Sequence, residues 1–430
     1  MTDTIFALSS GQPPAGIGVI RISGPRAGDA LRIMGGSTDR QRTARLFTIC
    51  DPLDGTALDQ ALQLWFPGPG SATGEDLAEF HCHGGRAVVA AILAALGRIE
   101  GLRGAEPGEF TRRAFENGRI DLNEAEGLAD LLSAETEMQR RSAMALADGH
   151  FTRKVKMWEA AIVELAALAE AELDFGDEDD VASSGTLALR EQKLDALISQ
   201  LADELERPSA ERLRDGVRVV IAGPPNAGKS TLLNRLAGED AAIVSDIAGT
   251  TRDRIDVPVQ MGGVPYVLTD TAGLRDESSD AIEVIGMGRA QQAVAAADIL
   301  LWLGDPAEAP RSDAVIVAAQ CDRAGWAMPQ GADIAISVTE EKGIVELQAL
   351  LAERASALLP RLGGYALHER QREALSELHS ELQDCGQVAD DLLLFAEHLR
   401  RGRQAIDRLT GRAGTEDMLN RLFSGFCIGK

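Results

Sequence analysis

The run GPPNAGKS at residues 223–230 decides the fold of this chain. It follows the apolar run VRVVIA at residues 217–222, precedes a helical stretch at residues 231–236, and fits the pattern G-x-x-x-x-G-K-[ST]. In such a loop the backbone amides face phosphates at a helix N-terminus, the lysine reaches the β- and γ-phosphates, and the serine hydroxyl ligates Mg²⁺. A glycine-rich turn with a surface lysine is the alternative, but the flanking strand and helix favour a phosphate site. The predicted phosphate-binding residues are Asn226, Ala227, Gly228, Lys229, Ser230 and Thr231.

Two segments downstream of this loop have the features of a nucleotide-dependent switch. The sequence DTAG at residues 270–273 ends an apolar strand, so Asp270 is expected to hold a magnesium-bound water and the Gly273 amide to contact the γ-phosphate. Thr251, in the segment IVSDIAGTTRD at residues 243–253, can give Mg²⁺ a second hydroxyl when a triphosphate is bound. The expected nucleotide contacts in these segments are Ser245, Asp246, Ile247, Ala248, Gly249, Thr250, Thr251, Asp270, Thr271, Ala272 and Gly273.

The base-recognition element departs from the usual N-K-x-D of guanine-binding proteins, because residues 319–322 read AQCD. Asp322 can still accept hydrogen bonds from guanine N1–H and N2–H, a match that adenine cannot make. A backbone amide of Ser337 or Val338, after the last strand, is expected at guanine O6. The missing asparagine and lysine predict a looser base pocket, so an ATPase and a merely loop-starting aspartate remain alternatives. Leu274 stands where many small GTPases carry the glutamine that orients the attacking water, so hydrolysis needs another group.

Periodicity along the chain predicts a multidomain protein. Residues 1–118 mix short apolar strands with one helix and predict an α+β domain. Residues 119–213 and 362–430 have helical spacing, and residues 214–361 alternate strands with helices as in a parallel sheet. We therefore predict an all-α domain, interrupted by an inserted α/β domain whose two ends lie close together.

Composition and charge narrow the class of protein further. The 430 residues are 45% hydrophobic and 26% charged, a globular balance. Forty-three Lys and Arg against 67 Asp and Glu give a net charge of −24, which repels nucleic acid and anionic membranes, so a polyanion must meet a local basic patch or a partner. The five scattered cysteines indicate reduced thiols, and the polar start and short apolar runs indicate a cytoplasmic protein with no membrane span. The C-terminal CIGK fits the C-a-a-X spacing of a prenylation signal, but lysine is an unusual last residue in that signal.

Several motifs, in order, resemble the MnmE (TrmE) family of tRNA-modification GTPases over essentially the whole chain. Besides the phosphate loop with Asn226, the segment at residues 243–253 and the run DTAGLR at residues 270–275, they are GIGVIRISG (16–24), TGEDLAEFHCHGG (73–85), PGEFTRRAF (107–115), DLNEAEGLAD (121–130) and FCIGK (426–430). The resemblance implies that the α+β domain is a folate-binding, dimerising domain and that the inserted domain is a P-loop G domain.

For the G domain, the resemblance implies a homodimer in which two G domains pair around a potassium ion. The matching potassium ligands are Asn226, Ser245, Ile247 and Thr250, with Ser230 and Thr251 as magnesium ligands. Lys229 is implied as a catalytic residue, and Glu283 as the carboxylate that orients the attacking water. A loop-capping Asn226 and a solvent-exposed Glu283 at a helix start are the structural alternatives.

For the N-terminal domain, the resemblance implies binding of 5-formyl- or methylene-tetrahydrofolate by Arg21, Glu79, Arg119 and Lys430. A carboxylate can pair with the aminopyrimidine edge of a pterin, and cationic groups suit the carboxylates of folate. Cys427 is implied near the one-carbon site, with a chemical role and simple packing both open. His81, Cys82 and His83 look like metal ligands, but we favour a structural role in a turn.

The function implied is GTP-driven modification of tRNA. The protein would act with an FAD-dependent partner of the MnmG/GidA type, in a heterotetramer, to add an aminomethyl-type group at C5 of the wobble uridine. The net charge predicts that the partner makes most tRNA contacts, with two arginine clusters as local exceptions. The alternative is a conformational switch in ribosome assembly or signalling with a non-catalytic N-terminal dimerisation domain. The two clusters are Arg40, Arg42 and Arg45, and Arg400, Arg401, Arg403, Arg408 and Arg412.

Overall fold

The structure, a computed structural model, describes residues 3–175, 183–238, 256–271, 288, 291–359, 364–413 and 416–430. Its residues form two compact units. The first unit comprises Met1–Ala129, Thr152–Glu159 and Arg403–Lys430, and the second comprises Asp130–Phe151 and Ala160–Gly402. Within the described residues, no helix combines the length and the apolar character that crossing a bilayer requires.

A six-stranded sheet dominates the first unit. Its strands are β1 (Thr4–Leu8), β2 (Ile17–Ser23), β3 (Arg45–Cys50), β4 (Ala57–Phe66), β5 (Leu77–His83) and β6 (Leu102–Gly104), in the order β3-β4-β5-β2-β1-β6. Neighbouring strands run antiparallel except β1 and β6. Strand alternation divides the two faces: Ile20 and Ile22 are fully buried, whereas Arg21 between them is only partly buried.

The helices of this unit cover the apolar face of the sheet and its end. They are α1 (Ala27–Ile33), α2 (Arg86–Gly97), α3 (Glu109–Glu116) and α13 (Glu416–Ser424). Val89 and Ile92 of α2 join the core that contains Ile20, Ile22 and Phe80. Phe423 of α13 packs in a smaller aromatic cluster, so the last helix belongs to the N-terminal fold.

A buried ion cluster ties α3 to the neighbouring strand β6. Glu109 accepts hydrogen bonds from Arg103 Nη1 at 2.8 Å and from Arg113 Nη2 at 3.0 Å, and Arg113 also pairs with Glu75 at 3.1 Å. Burial by itself would raise the pKa of Glu109, but the hydrogen bonds from Arg103, the Glu106 amide and Arg113 lower it below the usual 4.5. The ionised carboxylate therefore stabilises this unit.

Helices connect and complete the second unit. They are α4 (Leu122–Ser133), α5 (Glu137–Ala147), α6 (His150–Phe175), α7 (Ser183–Leu205), α8 (Ala210–Asp215), α11 (Glu369–Gln387) and α12 (Leu392–Thr410), of which α4, α6 and α12 contribute residues to both units. The helical spacing predicted for residues 362–430 is confirmed in α11, where Leu375, Leu378 and Leu382 form a fully buried stripe. The helical spacing predicted for residues 119–213 is interrupted between α7 and α8, where Pro208 lacks the amide that a continuous helix requires.

The inserted domain is a second six-stranded sheet. Its strands are β7 (Val217–Ala222), β8 (Asp256–Met261), β9 (Val264–Asp270), β10 (Ile299–Trp302), β11 (Val315–Ala318) and β12 (Ile334–Ala335), in the order β12-β11-β10-β7-β9-β8, with the helices α9 (Lys229–Gly238) and α10 (Ile344–Ser356). All pairings are parallel except β8 with β9. The chain leaves β7 toward one side of the sheet and later continues on the other, so the carboxyl end of β7 is the switch point where α/β sheets bind ligands.

The chain enters and leaves the inserted domain at one place. The Ala210 amide donates to the Leu367 carbonyl at 2.9 Å, and the Leu367 amide donates to the Pro208 carbonyl at 3.2 Å. Nearby, the Tyr365 hydroxyl donates to Glu204 at 2.6 Å. Neighbouring ends are what the predicted insertion requires, and the α+β, all-α and inserted α/β classes are confirmed.

Candidate functional site

The loop after β7 has a backbone that requires glycine at two positions. Gly223 has a φ of +151°, and a Cβ added there would lie 2.6 Å from the Leu303 carbonyl oxygen. Gly228 has a φ of +95°. Asn226 also lies in the left-handed region, at a φ of 59°, which asparagine tolerates better than most residues. These torsions curl the loop before α9 begins at Lys229.

Lys229 lies within this loop rather than on the surface. Its side chain is buried, with 7% exposure, and its ammonium donates to the Gly223 carbonyl at 3.1 Å and the Pro224 carbonyl at 2.9 Å. A surface lysine would be solvated, so the alternative of a simple turn does not fit this geometry. The cation is held at the N-terminus of α9, where the helix dipole adds to the attraction for anions.

Oxygen ligands from two elements meet beside the lysine. Ser230, in the first turn of α9, donates its hydroxyl to the Asp270 carboxylate at the end of β9. Asp270 is buried and is the cross-strand partner of Ile221 in β7. The next residue, Thr271, anchors the end of β9 by donating to the Ile221 carbonyl from its amide at 3.2 Å and from its Oγ1 hydroxyl at 3.0 Å. A hydroxyl and a carboxylate in contact form a ligand set that suits Mg²⁺.

The predicted base-recognition residues follow β11 and β12. Asp322 is exposed in the turn after β11, and the preceding Cys321 amide donates to the Ile336 carbonyl at 3.1 Å. Ser337 is fully buried, and its amide donates to the Lys342 carbonyl at 2.9 Å. The sequence did not indicate the role of Gln320: its Nε2 donates to the Asn226 carbonyl at 3.3 Å and so joins this turn to the phosphate loop.

The remaining residues predicted around the nucleotide lie outside the described residues. Of the predicted set, the structure brings together the loop at residues 226–231, Asp270 and Thr271. The residues outside the description are Ser245, Asp246, Ile247, Ala248, Gly249, Thr250, Thr251, Ala272, Gly273 and Glu283.

A polar group lies on the second face of the N-terminal sheet. Arg21 of β2 and Glu79 of β5 are cross-strand neighbours, joined at 3.0 Å between Arg21 Nε and Glu79 Oε1. The other Glu79 oxygen lies 3.2 Å from His81 Nε2, and the Arg21 guanidinium lies 5.8 Å from the centre of the Phe110 ring. Both oxygens of Glu79 are thus engaged. The sequence missed His81 and Phe110 here, because cross-strand register and helix packing bring them to this group.

The C-terminal segment packs at the end of β1 in the same unit. Gly429 has a φ of +96°, and an added Cβ would lie 2.2 Å from the Leu8 carbonyl oxygen. Cys427 is exposed and Lys430 is partly buried. The cross-strand partner of Arg21 is Ala7, the residue before Leu8, so the segment ends near the Arg21 strand. Arg119 is exposed after α3 and lies against Gly74.

The expectation that residues 81–83 form part of a turn was wrong, since they end strand β5. Strand alternation turns Cys82 into the core, where it is buried, while His81 and His83 point to the opposite face. His81 contacts Glu79, and His83 Nδ1 contacts Asp59 at 2.8 Å. The three side chains therefore do not converge as metal ligands.

Several arginines of the two clusters are paired with acidic groups or carbonyls. Arg400 and Arg401 both bind Glu397, and Arg412 binds Glu159. Arg42 donates to the Gly70 carbonyl. These contacts reduce the positive charge available to an RNA backbone.

Comparisons with known proteins agree over the whole chain. A model of the N-terminus of the GTP-binding protein TrmE matches residues 4–119, and a model of the MnmE helical domain matches residues 122–427. The tRNA modification GTPase MnmE of Rhizorhabdus wittichii is 58% identical over 433 residues, covering 100% of this chain and 97% of that protein. The tRNA modification GTPase MnmE of Novosphingobium aromaticivorans is 52% identical over 438 residues, covering 100% of both. Among solved structures, the G domain of the T. maritima FeoB iron transporter aligns with a TM-score of 0.25 and 22% identity, covering 32% of this chain and 98% of that chain.

Proposed function

This chain belongs to the MnmE family of tRNA modification GTPases, and on that premise we propose that it hydrolyses GTP at residues 223–230 to drive a step in tRNA modification. The observation that supports this most directly is the convergence of Lys229, Ser230 and Asp270 at the carboxyl end of β7. A buried ammonium beside a hydroxyl and a carboxylate matches the charges of a magnesium triphosphate.

Each of these residues has a separate task in the proposal. The Lys229 ammonium exchanges its two loop carbonyls for β- and γ-phosphate oxygens, and the curled backbone directs amides at the same phosphates. Ser230 and Asp270 would hold Mg²⁺, directly or through water, and the bound ion would supply charge neutralisation for the phosphates. Asp322 selects guanine. We assign the contact with guanine O6 to the Val338 amide, because the Ser337 amide already bonds to Lys342.

The test compares phosphate release from GTP and ATP by the parent and by Ser230→Ala. Loss of the hydroxyl should lower GTP turnover by about 100-fold, equivalent to about 3 kcal/mol of barrier. Ser356→Ala is the matched control, because Ser356 is exposed and, in the part of the chain that the structure describes, its hydroxyl donates within α10 to the Glu353 carbonyl. Unchanged turnover in Ser230→Ala, or equal use of ATP by the parent, would contradict the proposal.

We further propose that two G domains pair around a potassium ion, with Asn226 as a ligand. Asn226 is exposed at the mouth of the loop, and its amide oxygen is a hard ligand suited to an alkali cation. Ser245, Ile247 and Thr250 complete this proposed set, and Glu283 orients the water. Replacing KCl with NaCl should slow the parent, whereas Asn226→Ala should be slow in both salts. Normal hydrolysis by Glu283→Ala in potassium would remove Glu283 from the mechanism.

The N-terminal domain is proposed to bind tetrahydrofolate as a one-carbon donor. Glu79 is a mostly buried carboxylate held by Arg21 and His81, and it suits the aminopyrimidine edge of a pterin. Arg119 and Lys430 are cations for the folate carboxylates. The exposed Cys427 thiol, on the segment packed against β1, is a candidate for one-carbon chemistry.

Titration with 5-formyl-tetrahydrofolate tests this assignment. The parent should bind it, while Glu79→Gln and Arg21→Ala should bind at least about tenfold more weakly through loss of a charge-assisted contact of about 1.5–3 kcal/mol. Glu116→Gln is the control, because Glu116 is an exposed carboxylate paired with Arg112. A parent that binds no folate would instead favour a GTPase switch with a non-catalytic N-terminal domain.

The substrate is proposed to be the wobble uridine of certain tRNAs, modified at C5 with an FAD-dependent partner of the MnmG/GidA type. The net charge of −24 and the paired arginines argue against tight RNA binding by this chain without a partner. The partner is therefore assigned most of the phosphate contacts. In filter binding at moderate salt, the chain should retain tRNA only when the partner is present; tight binding by the chain alone would contradict this division.

A further inference from the structure

Two helices of the second unit bring three potential ligands together, far in sequence from the nucleotide loop. Glu381 and Asp384 are three residues apart on α11 and so share a face, and His398 approaches from α12. One oxygen of each carboxylate and one imidazole nitrogen all lie within 4.8 Å of one another. His398 Nδ1 is 2.7 Å from Glu381 Oε2.

The group combines two carboxylates with one imidazole. Among the described residues, the Asp384 carboxylate makes no hydrogen bond or ion pair, although it adjoins the other two groups. Glu381 and His398 are each mostly buried, with 18% side-chain exposure. Arg190 lies near Cys385 of α11, but its guanidinium pairs with Glu172 at 3.4 Å and stacks on Phe395.

Two carboxylates held at this separation repel each other unless a cation lies between them. Among the described residues, the His398 imidazole hydrogen-bonds to Glu381, and none forms a hydrogen bond with the Asp384 carboxylate. A divalent ion would satisfy all three groups, since an imidazole nitrogen and two carboxylate oxygens are a common ligand set for zinc.

We propose that Glu381, Asp384 and His398 form a Zn²⁺ site that joins α11 to α12. With three protein ligands, a water molecule completes a tetrahedral shell. The site is separate from the magnesium ligands Ser230 and Asp270 and does not depend on the proposed function. Its effect is to brace the hairpin formed by α11 and α12.

The experiment uses the full-length chain, freed of metal by chelation and kept reduced, with Zn²⁺ as the probe. Zinc is titrated by competition with a chromophoric chelator, and thermal unfolding is followed with and without zinc. The parent should take up one tight equivalent per chain and unfold at a higher temperature with zinc. Asp384→Asn and His398→Ala should bind at least about tenfold more weakly, because even outer-shell partners contribute about 10- to 100-fold.

Asp384→Asn is the decisive variant, because the altered carboxylate has no partner among the described residues and its loss leaves the metal-free fold intact. Its metal-free unfolding temperature should equal or exceed that of the parent, because one of two repelling charges is removed, and its zinc-induced rise should be lost. His379→Ala, on the same helix but outside the cluster, controls for histidine in general. If the parent takes up no zinc, the cluster is only a His398–Glu381 ion pair beside Asp384 and not a metal site. Equal uptake by parent and Asp384→Asn would place zinc elsewhere, for example on thiols, and either result overturns the proposal.

Discussion

Replacing Gly223 with alanine tests the phosphate loop at the point where its geometry is tightest. Gly223 has a φ of +151°, a region that alanine rarely adopts, and its new Cβ would lie 2.6 Å from the Leu303 carbonyl oxygen. That oxygen is backbone, held at the end of β10 because the Leu303 amide donates to the Ala222 carbonyl at 2.8 Å. The carbonyl cannot move without disturbing the sheet, so the loop must move.

The expected magnitude follows from the contacts that the loop makes. The torsion alone costs about 1–3 kcal/mol. A shifted loop also moves the Gly223 carbonyl that positions the Lys229 ammonium, as well as the amides that face the phosphates. Loss of one hydrogen bond to a charged group costs about 1.5–3 kcal/mol. Because every 1.4 kcal/mol is about a factor of ten, GTP affinity should fall about 10- to 100-fold.

The assay is equilibrium binding of a fluorescent GTP analogue with Mg²⁺, followed by steady-state phosphate release. Gly238→Ala is the control, because Gly238 lies at the end of α9 and an added Cβ there would meet no atom of the described residues within 4 Å. This control should bind GTP like the parent and be slightly more stable, since alanine favours helix by about 0.5–1 kcal/mol. If Gly223→Ala binds and hydrolyses GTP like the parent, the loop does not hold the phosphates as described.

Three further predictions concern other parts of the chain. Gly429→Ala should weaken 5-formyl-tetrahydrofolate binding by at least about tenfold and leave GTP turnover unchanged. The reason is that its Cβ would lie 2.2 Å from the Leu8 carbonyl oxygen and displace the C-terminal segment. Unchanged folate binding would contradict the placement of this segment at the folate site. Glu109→Gln should cost about 1–3 kcal/mol at pH 7, since the ionised carboxylate binds Arg103. Because the pKa of Glu109 is lowered in the folded state, this stability is lost as pH falls below 4.5. The unfolding temperatures of parent and variant should therefore converge in acid. A difference that stays constant with pH would contradict the lowered pKa. Asp322→Asn should lower GTP affinity without affecting ATP, as measured by competition binding, and equal loss for both nucleotides would mean that Asp322 does not read the base.

The sequence predicts best the features that depend on near neighbours in the chain. The phosphate loop, its strand and its helix follow from the continuous run of residues 217–236, and the structure confirms that strand–loop–helix context. The apolar stripe of α11 follows from helical periodicity alone. The break between α7 and α8 was missed because the spacing of apolar residues continues across Pro208, whose effect on the backbone is local.

The features that the sequence missed depend on pairing between distant segments. His81 contacts Glu79 because both lie on one face of β5. Predicting a turn at residues 81–83 excluded this shared strand face. Gln320 reaches the Asn226 carbonyl across 94 positions of sequence. Spacing within the chain cannot give the register of β2 with β5, so it cannot show that Arg21 and Glu79 are neighbours.

The most direct test of the central claim is the rate of GTP hydrolysis per chain, measured across a range of protein concentrations in potassium and in sodium. If two copies enclose the triphosphate held by Lys229 and Ser230, the rate per chain should rise with concentration in potassium and stay low in sodium. A rate per chain that is independent of concentration and identical in both salts would contradict the account.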